Sequence, residues 1–195
     1  MESPADKPKP APLAISCLDT DCESGLHCFR TKRKLRDGRR NGKCRDCGID
    51  LVDWKRVQQH DLADVSHTFA SLKHELIRHH YWHNVIDPKA SNYARHKGKK
   101  GLREAAEQRV RKSVAPAKPF RDGTQTPYEG NPLFYAQHAT AACCRKCINE
   151  WHGIPEGRDL TEEEILYLTN LMMLYLNERL PQVTENGEKV PRRVT

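Results

Sequence analysis

The sequence predicts a mainly α protein: a helical domain preceded by a small amino-terminal zinc-ribbon-like module. Three observations carry this expectation. Apolar residues recur at helical spacing from Phe69 onward, strand signals are weak outside one cysteine-rich stretch, and Cys17 to about Gly48 has almost no periodic apolar residues. Such a stretch cannot build an apolar core, so an ion must supply its fold. The 195 residues divide into an expected disordered tail over 1–14, a zinc-binding module over 15–50, a helical domain over 51–181 and a flexible tail over 182–195.

The first 14 residues carry Pro4, Pro8, Pro10 and Pro12 with two lysines, a composition that cannot offset its ordering entropy. In the module, Cys44-Arg45-Asp46-Cys47-Gly48 has the spacing at which two thiolates reach one tetrahedral ion while glycine permits the turn beneath them. Cys17 and Cys22 are the expected partners of Cys44 and Cys47. Cys28 is a substitute ligand or a buried thiol, and His27 is a further candidate. Between the arms lie Arg30, Lys32, Arg33, Lys34, Arg36, Arg39, Arg40 and Lys43, opposed by Asp37 alone. A cationic loop held by a metal knuckle suits phosphate contacts without reading sequence, and Phe29 is the one aromatic nearby, so base stacking is poorly supported.

Farther along, Phe69, Leu72, Leu76, His80 and His83 recur at helical spacing, so His80 and His83 are expected to face inward. His79 and His83 are one turn apart, a spacing that lets two imidazoles share a metal, and Glu75 precedes His79 by a turn as its orienting group or as a base. Leu102 to Val114 reads as a helix that must stop near Pro116, followed by an ordered loop over 117–131. Asn131 and Pro132 suit an N-cap and first helical position, and Gly153 with Pro155 a stop, so one helix is expected over 132–152. Thr161 and Glu164 form a capping-box pattern, and Ile165, Leu168, Leu171, Met172 and Tyr175 supply one stripe of a helix ending near Leu180.

Within 132–152, Cys143, Cys144, Cys147 and His152 offer a second metal site, with His138 or the histidine helix as a further ligand source. The same cysteines with Ile148 and Trp151 also make a packing stripe. The series Asp122-Gly123-Thr124-Gln125-Thr126-Pro127, Ala136-Gln137-His138-Ala139-Thr140, Cys143-Cys144-Arg145-Lys146-Cys147, Trp151-His152-Gly153-Ile154-Pro155 and Gly157-Arg158 resembles a bacterial family catalogued as a domain of unknown function, number 4186. The resemblance spans roughly residues 90–180, and short members of that family lack the cysteine module. It implies no activity or cofactor; it points to where a site should be. There Asp122, Gln125, Gln137 and His138, with Glu75 and His79, are the candidate catalytic residues.

The formal charge is +7, which favours a polyanionic partner. Ten Lys or Arg residues lie between Arg95 and Arg121, and Lys97, Lys99, Lys100, Arg109, Arg111 and Lys112 join the loop cations as candidate nucleic-acid contacts. No apolar run approaches a membrane span and no signal-peptide pattern opens the chain, so a cytoplasmic location with reduced thiols is expected. These features suggest a zinc-dependent nucleic-acid-binding protein, DNA favoured, that processes or repairs DNA by hydrolysing a base or phosphodiester linkage. The alternatives are a non-enzymatic zinc adaptor for nucleic acid or protein, and an enzyme acting on a nucleotide or other small anion.

Overall fold

The computed structural model of the chain describes residues 15–30, 42–120 and 126–189. Among them are seven α-helices: α1 (Trp54–Val57), α2 (Val65–Leu72), α3 (Leu76–His83), α4 (Pro88–Ser113), α5 (Pro132–Ala139), α6 (Arg145–His152) and α7 (Glu162–Arg179). No strand occurs among the described residues; two isolated bridges, Asp21 with Leu26 and His27 with Glu75, are the only β pairing there. The mainly helical architecture with an amino-terminal cysteine–histidine module is therefore the one the chain adopts. No helix among the described residues is long and apolar enough to cross a membrane.

Local chemistry sets the ends of several helices. Thr161 accepts from the Glu164 amide at 3.2 Å while the Glu164 carboxylate accepts from the Thr161 amide at 2.8 Å, completing the box at the start of α7. Asn131 caps α5 through the Leu133 amide at 2.9 Å, ahead of Pro132. Gly153, at φ +65°, ends α6 in the left-handed conformation. The helices then share one core: α7 lies along α4 and reaches α5, α3 packs on α5, and α1 meets α6. The Tyr175 hydroxyl donates to the Tyr81 carbonyl at 2.7 Å, and Arg179 donates to the carbonyls of Tyr81, Trp82 and Asn84, satisfying the open end of α3.

Three expectations are corrected. The single helix over 132–152 is two, because the chain reverses through Ala141 at φ +55° and Cys144 begins a new helix as its N-cap, its sulfur accepting from the Cys147 amide. The break is held by Gln137, whose carbonyl accepts from the Ala142 amide at 2.8 Å and whose side-chain amide donates to the Ala142 carbonyl at 3.1 Å. The inward face of α3 is Ile77, Arg78, Tyr81 and Trp82, not His80 and His83. His83 is exposed and stacks on His79 at 3.9 Å, because the larger apolar surface of Tyr81 and Trp82 takes the core side. The helix expected at 102–114 starts just past Gly98, whose φ of +67° and ψ of 172° are non-helical and separate it from a further helical stretch that begins at Pro88 after the Asp87 cap.

The bend at Gly98 receives residues 184–188. Gly98 has φ +67°, and the amides freed beyond it are taken up by later carbonyls: Lys99 donates to Thr184 at 2.9 Å and Lys100 to Glu185 at 3.2 Å, while Glu188 donates back to the Arg95 carbonyl at 2.9 Å. Residues 183–189, expected within a flexible tail, thus lie in hydrogen-bonded contact with α4. A Cβ on Gly98 would meet the Gly187 amide nitrogen at 2.1 Å. Gly98→Ala is therefore expected to lower the unfolding free energy by at least about 2 kcal/mol, from left-handed strain plus displacement of this segment, as read by urea denaturation; an unchanged midpoint would contradict the contact.

Candidate metal centres

The first centre is built by two turns facing each other. Asp21 and Leu26 exchange backbone hydrogen bonds at 2.8 and 2.9 Å around Gly25, presenting Cys22 and then His27. Opposite them, the Gly48 amide donates to the Cys44 carbonyl at 3.0 Å and the Cys44 amide to the Ile49 carbonyl at 2.8 Å, which turns Cys44 and Cys47 to one side. The Arg45 amide donates to the Cys28 carbonyl at 2.9 Å and ties the two arms together. The ligand atoms of Cys22, His27, Cys44 and Cys47 all lie within 4.8 Å of one another.

Two edges of this group are informative. Cys22 Sγ and Cys44 Sγ are 3.8 Å apart, and Cys47 Sγ is 3.5 Å from His27 Nδ1. A tetrahedral ion with metal–sulfur bonds of about 2.3 Å and metal–nitrogen bonds of about 2.0 Å requires S–S edges of about 3.8 Å and S–N edges of about 3.5 Å. Burial opposes charge on Cys44, but the backbone amides of Cys28, Asp46 and Cys47 aim at its sulfur and bring it down to about 6. The thiolate is thus prepared for a cation. His27 occupies the position that the sequence reading gave first to Cys17, and Cys28 is a buried thiol donating to the Cys17 carbonyl at 3.3 Å.

The module is not a separate lobe. The His27 amide donates to the His74 carbonyl at 2.7 Å and the Leu76 amide to the His27 carbonyl at 2.9 Å, which docks the centre on the junction of α2 and α3. Fully buried Phe29 meets Trp54 and Trp151 edge-on, with ring centroids 5.8 and 5.9 Å away.

The second group is Cys143, Cys144 and Cys147, whose sulfur atoms also lie within 4.8 Å of one another. The break between α5 and α6 makes this possible, since adjacent residues on a continuous helix point about 100° apart. Arg78, buried on the inner face of α3, donates from Nη2 to the Cys147 sulfur at 3.1 Å and approaches that of Cys143 at 3.8 Å. Its Nε pairs with Glu75 at 3.0 Å, and its Nη1 donates to the His138 carbonyl at 2.7 Å.

The other predicted residues fall as follows. Glu75 is buried and bonded to Arg78 and to Trp151 Nε1 at 2.9 Å, so it does not orient His79. His152 is not a ligand in either group: one ring nitrogen lies 2.9 Å from the Thr140 carbonyl and the other 3.1 Å from the Tyr167 hydroxyl. Gln137 accepts from Arg109 at 2.9 Å besides holding the α5–α6 break. His138 is buried between Tyr81 and Tyr128, its Nε2 donating to the Thr126 carbonyl at 3.1 Å. Asp122 and Gln125 lie outside the described residues, as do Lys32, Arg33, Lys34, Arg36, Arg39 and Arg40. Arg145 is a site-forming residue that sequence reasoning missed: it donates to the carbonyls of Val114, Pro155 and Arg158, clamping the segments around the cysteines. Its place between Cys144 and Cys147 was the available signal.

The chain is thus a helical scaffold carrying one cluster of three thiols and an imidazole and a second of three thiols, each of which could hold a metal ion. The family model for a domain of unknown function, DUF4186, matches residues 66–177, more than half of the chain, and the protein belongs to that family. No solved structure matches it. The match starts well before the roughly 90–180 that the motif series suggested, and so takes in α3 and Arg78.

Burial pushes His138 and His152 down to about 4. The unfolded chain, whose histidines titrate near 6.5, binds protons that the folded chain refuses between about pH 6.5 and 4, so stability falls as pH is lowered through that window. Each residue accounts for about 3 kcal/mol of this loss. Urea unfolding followed from pH 7 to 4 is expected to show it, with a shallower dependence in His152→Gln; equal slopes would contradict a buried neutral imidazole.

Proposed function

We propose that the protein is a zinc-scaffolded nucleic-acid-binding protein whose cationic loop, residues 30–43, grips the phosphate backbone, with DNA as the favoured partner. One observation carries this reading: the segment bearing eight Lys and Arg residues joins the two arms of the Cys22, His27, Cys44, Cys47 group, whose edges fit tetrahedral zinc. The donor set of three thiols and one imidazole suits zinc over magnesium or calcium. With four protein donors the site is closed, so its role is structural.

The cations of α4 support the same assignment by their commitments. Arg95 pairs with Glu188, Lys99 with Glu185, Arg111 with Glu107 and Glu162, and Arg109 bonds to Gln137 while stacking on Phe134. Lys97, Lys100 and Lys112 stay exposed on that helix.

A second reading, hydrolysis of a base or phosphodiester, is favoured by one specific feature. His138 Nδ1 and the Tyr81 hydroxyl are buried without hydrogen-bond partners among the described residues, and the two rings stack at 4.6 Å beside Thr126, at the end of the family's Asp122–Thr126 motif. Buried polar atoms of this kind call for a ligand. Incubation with duplexes carrying normal, uracil-containing or abasic positions separates the readings: release or scission supports hydrolysis, and intact DNA with salt-sensitive binding supports binding alone.

Each phosphate-contacting cation adds about 0.9 to the slope of log affinity against log salt. Replacing Arg33, Lys34, Arg36 and Arg39 by Gln is therefore expected to flatten that slope by about 3 to 4, and chelation is expected to weaken binding of the wild type. Affinity unmoved by either treatment in a fluorescence-anisotropy titration would overturn the proposal.

A further inference from the structure

Cys17 lies outside the region matched by the family model and outside the first centre, yet it is not idle. It stands next to Cys147, the two bordering one small cavity. With Cys143, Cys144 and Cys147 already gathered within 4.8 Å of one another, Cys17 brings a fourth sulfur beside the start of α6. The approach of Cys17 is built in: Ser16 and Asp19 close a tight turn around it, the Ser16 amide and hydroxyl donating to the Asp19 carboxylate at 2.7 and 2.8 Å, and Cys28 holds its carbonyl. A cavity of about 10 Å³ is bordered by Cys17, Cys147, Glu75 and Arg78.

Arg78 gives an independent reason to expect negative sulfur here. A guanidinium does not lose its proton, and this one is buried. Glu75 takes its Nε and the His138 carbonyl takes Nη1, while Nη2 donates to the Cys147 sulfur. Neutral thiols are poor acceptors for a buried cation, whereas metal-held thiolates are good ones. Four thiolates on a divalent ion leave a charge of −2, and Arg78 faces it, with Arg30 and Lys146 also bordering the cavity.

We propose that Cys17, Cys143, Cys144 and Cys147 form a second, four-thiolate zinc site that staples the amino-terminal segment to the family domain. The motif spacing points to His152, His138 or the histidine helix for the further ligand, whereas Cys17, from far earlier in the chain, is the thiol beside Cys147. Four thiolates select a soft or borderline ion, and four protein ligands close the site to substrate. The inference does not depend on nucleic-acid binding.

Metal analysis of the full-length protein tests it. Two zinc ions per chain are expected in the wild type and one in Cys17→Ser. Cys44→Ser is expected to lose the other ion and to keep the Cys17 site, so a failure of the first centre is distinguishable from a failure of this one. Where Cys17→Ser folds poorly, Cys17→His in the cobalt-loaded protein is decisive: retention of the ion with its d–d absorption moved to higher energy, and loss of one thiolate's worth of charge-transfer intensity, supports ligation. An unchanged cobalt spectrum in Cys17→His, a wild type holding one zinc, or a brown iron–sulfur chromophore would each overturn the proposal.

Discussion

Arg78 is the constraint around which this protein is arranged. Its guanidinium is buried and its charge cannot be discarded, so each of its donors requires a partner from the surrounding chain. Those partners come from separate places: Glu75 at the start of its own helix, the His138 carbonyl at the end of α5, and the sulfur atoms of Cys143 and Cys147 around the start of α6. Glu75 is engaged in turn by Trp151, on whose ring Phe29 of the module and Trp54 pack. One ion pair therefore sets the positions of the metal module, the α5–α6 break and the central tryptophan together. Removing either partner would leave an uncompensated buried charge, a loss of about 3 to 5 kcal/mol.

The family's motif residues make sense as the frame for this arrangement. Thr126 donates to the Cys143 carbonyl and receives His138; Thr140 receives His152; Arg145 gathers the carbonyls of Val114, Pro155 and Arg158. The Leu160 amide then donates to the Ala115 carbonyl. Segments far apart in the chain are thus tied around the short stretch from Thr140 to Cys147. That stretch leaves regular helical geometry at Ala141, and irregular buried backbone has to be satisfied by side chains instead of by its own ladder.

Local features of the sequence were legible because local chemistry decides them. The Cys44–Gly48 knuckle, the Asn131–Pro132 start, the Gly153 stop and the Thr161–Glu164 box each involve residues within a turn of one another, and each forms as read. What escaped depends on partners distant in sequence. The bend at Gly98 exists because Gly187 and its neighbours fill it, and nothing within α4 signals their arrival. Arg78 lies in a helix otherwise rich in histidine, and nothing local marks it for burial; Glu75 and the cysteines that close over it do so only in the fold. Cys17 and His27 are both within reach of the knuckle by chain length, so spacing alone cannot choose between them. Docking of His27 against Glu75 makes the choice.

That choice links the two centres. Cys17 and Cys22 are separated by five residue steps, which span at most about 18 Å even when fully extended. The intervening chain is further shortened by the Ser16–Asp19 turn, while Thr20 donates to Asp46 of the knuckle at 2.7 Å. A segment so short cannot move at one end without disturbing the other, so fixing Cys17 on Cys147 restricts where Cys22 can stand, and closing the knuckle restricts Cys17 in return. Each ligand set lowers the entropy that the other must lose, which is positive coupling without any contact between the ions. The amino-terminal segment is therefore held as one piece, although it has no periodic apolar core of its own.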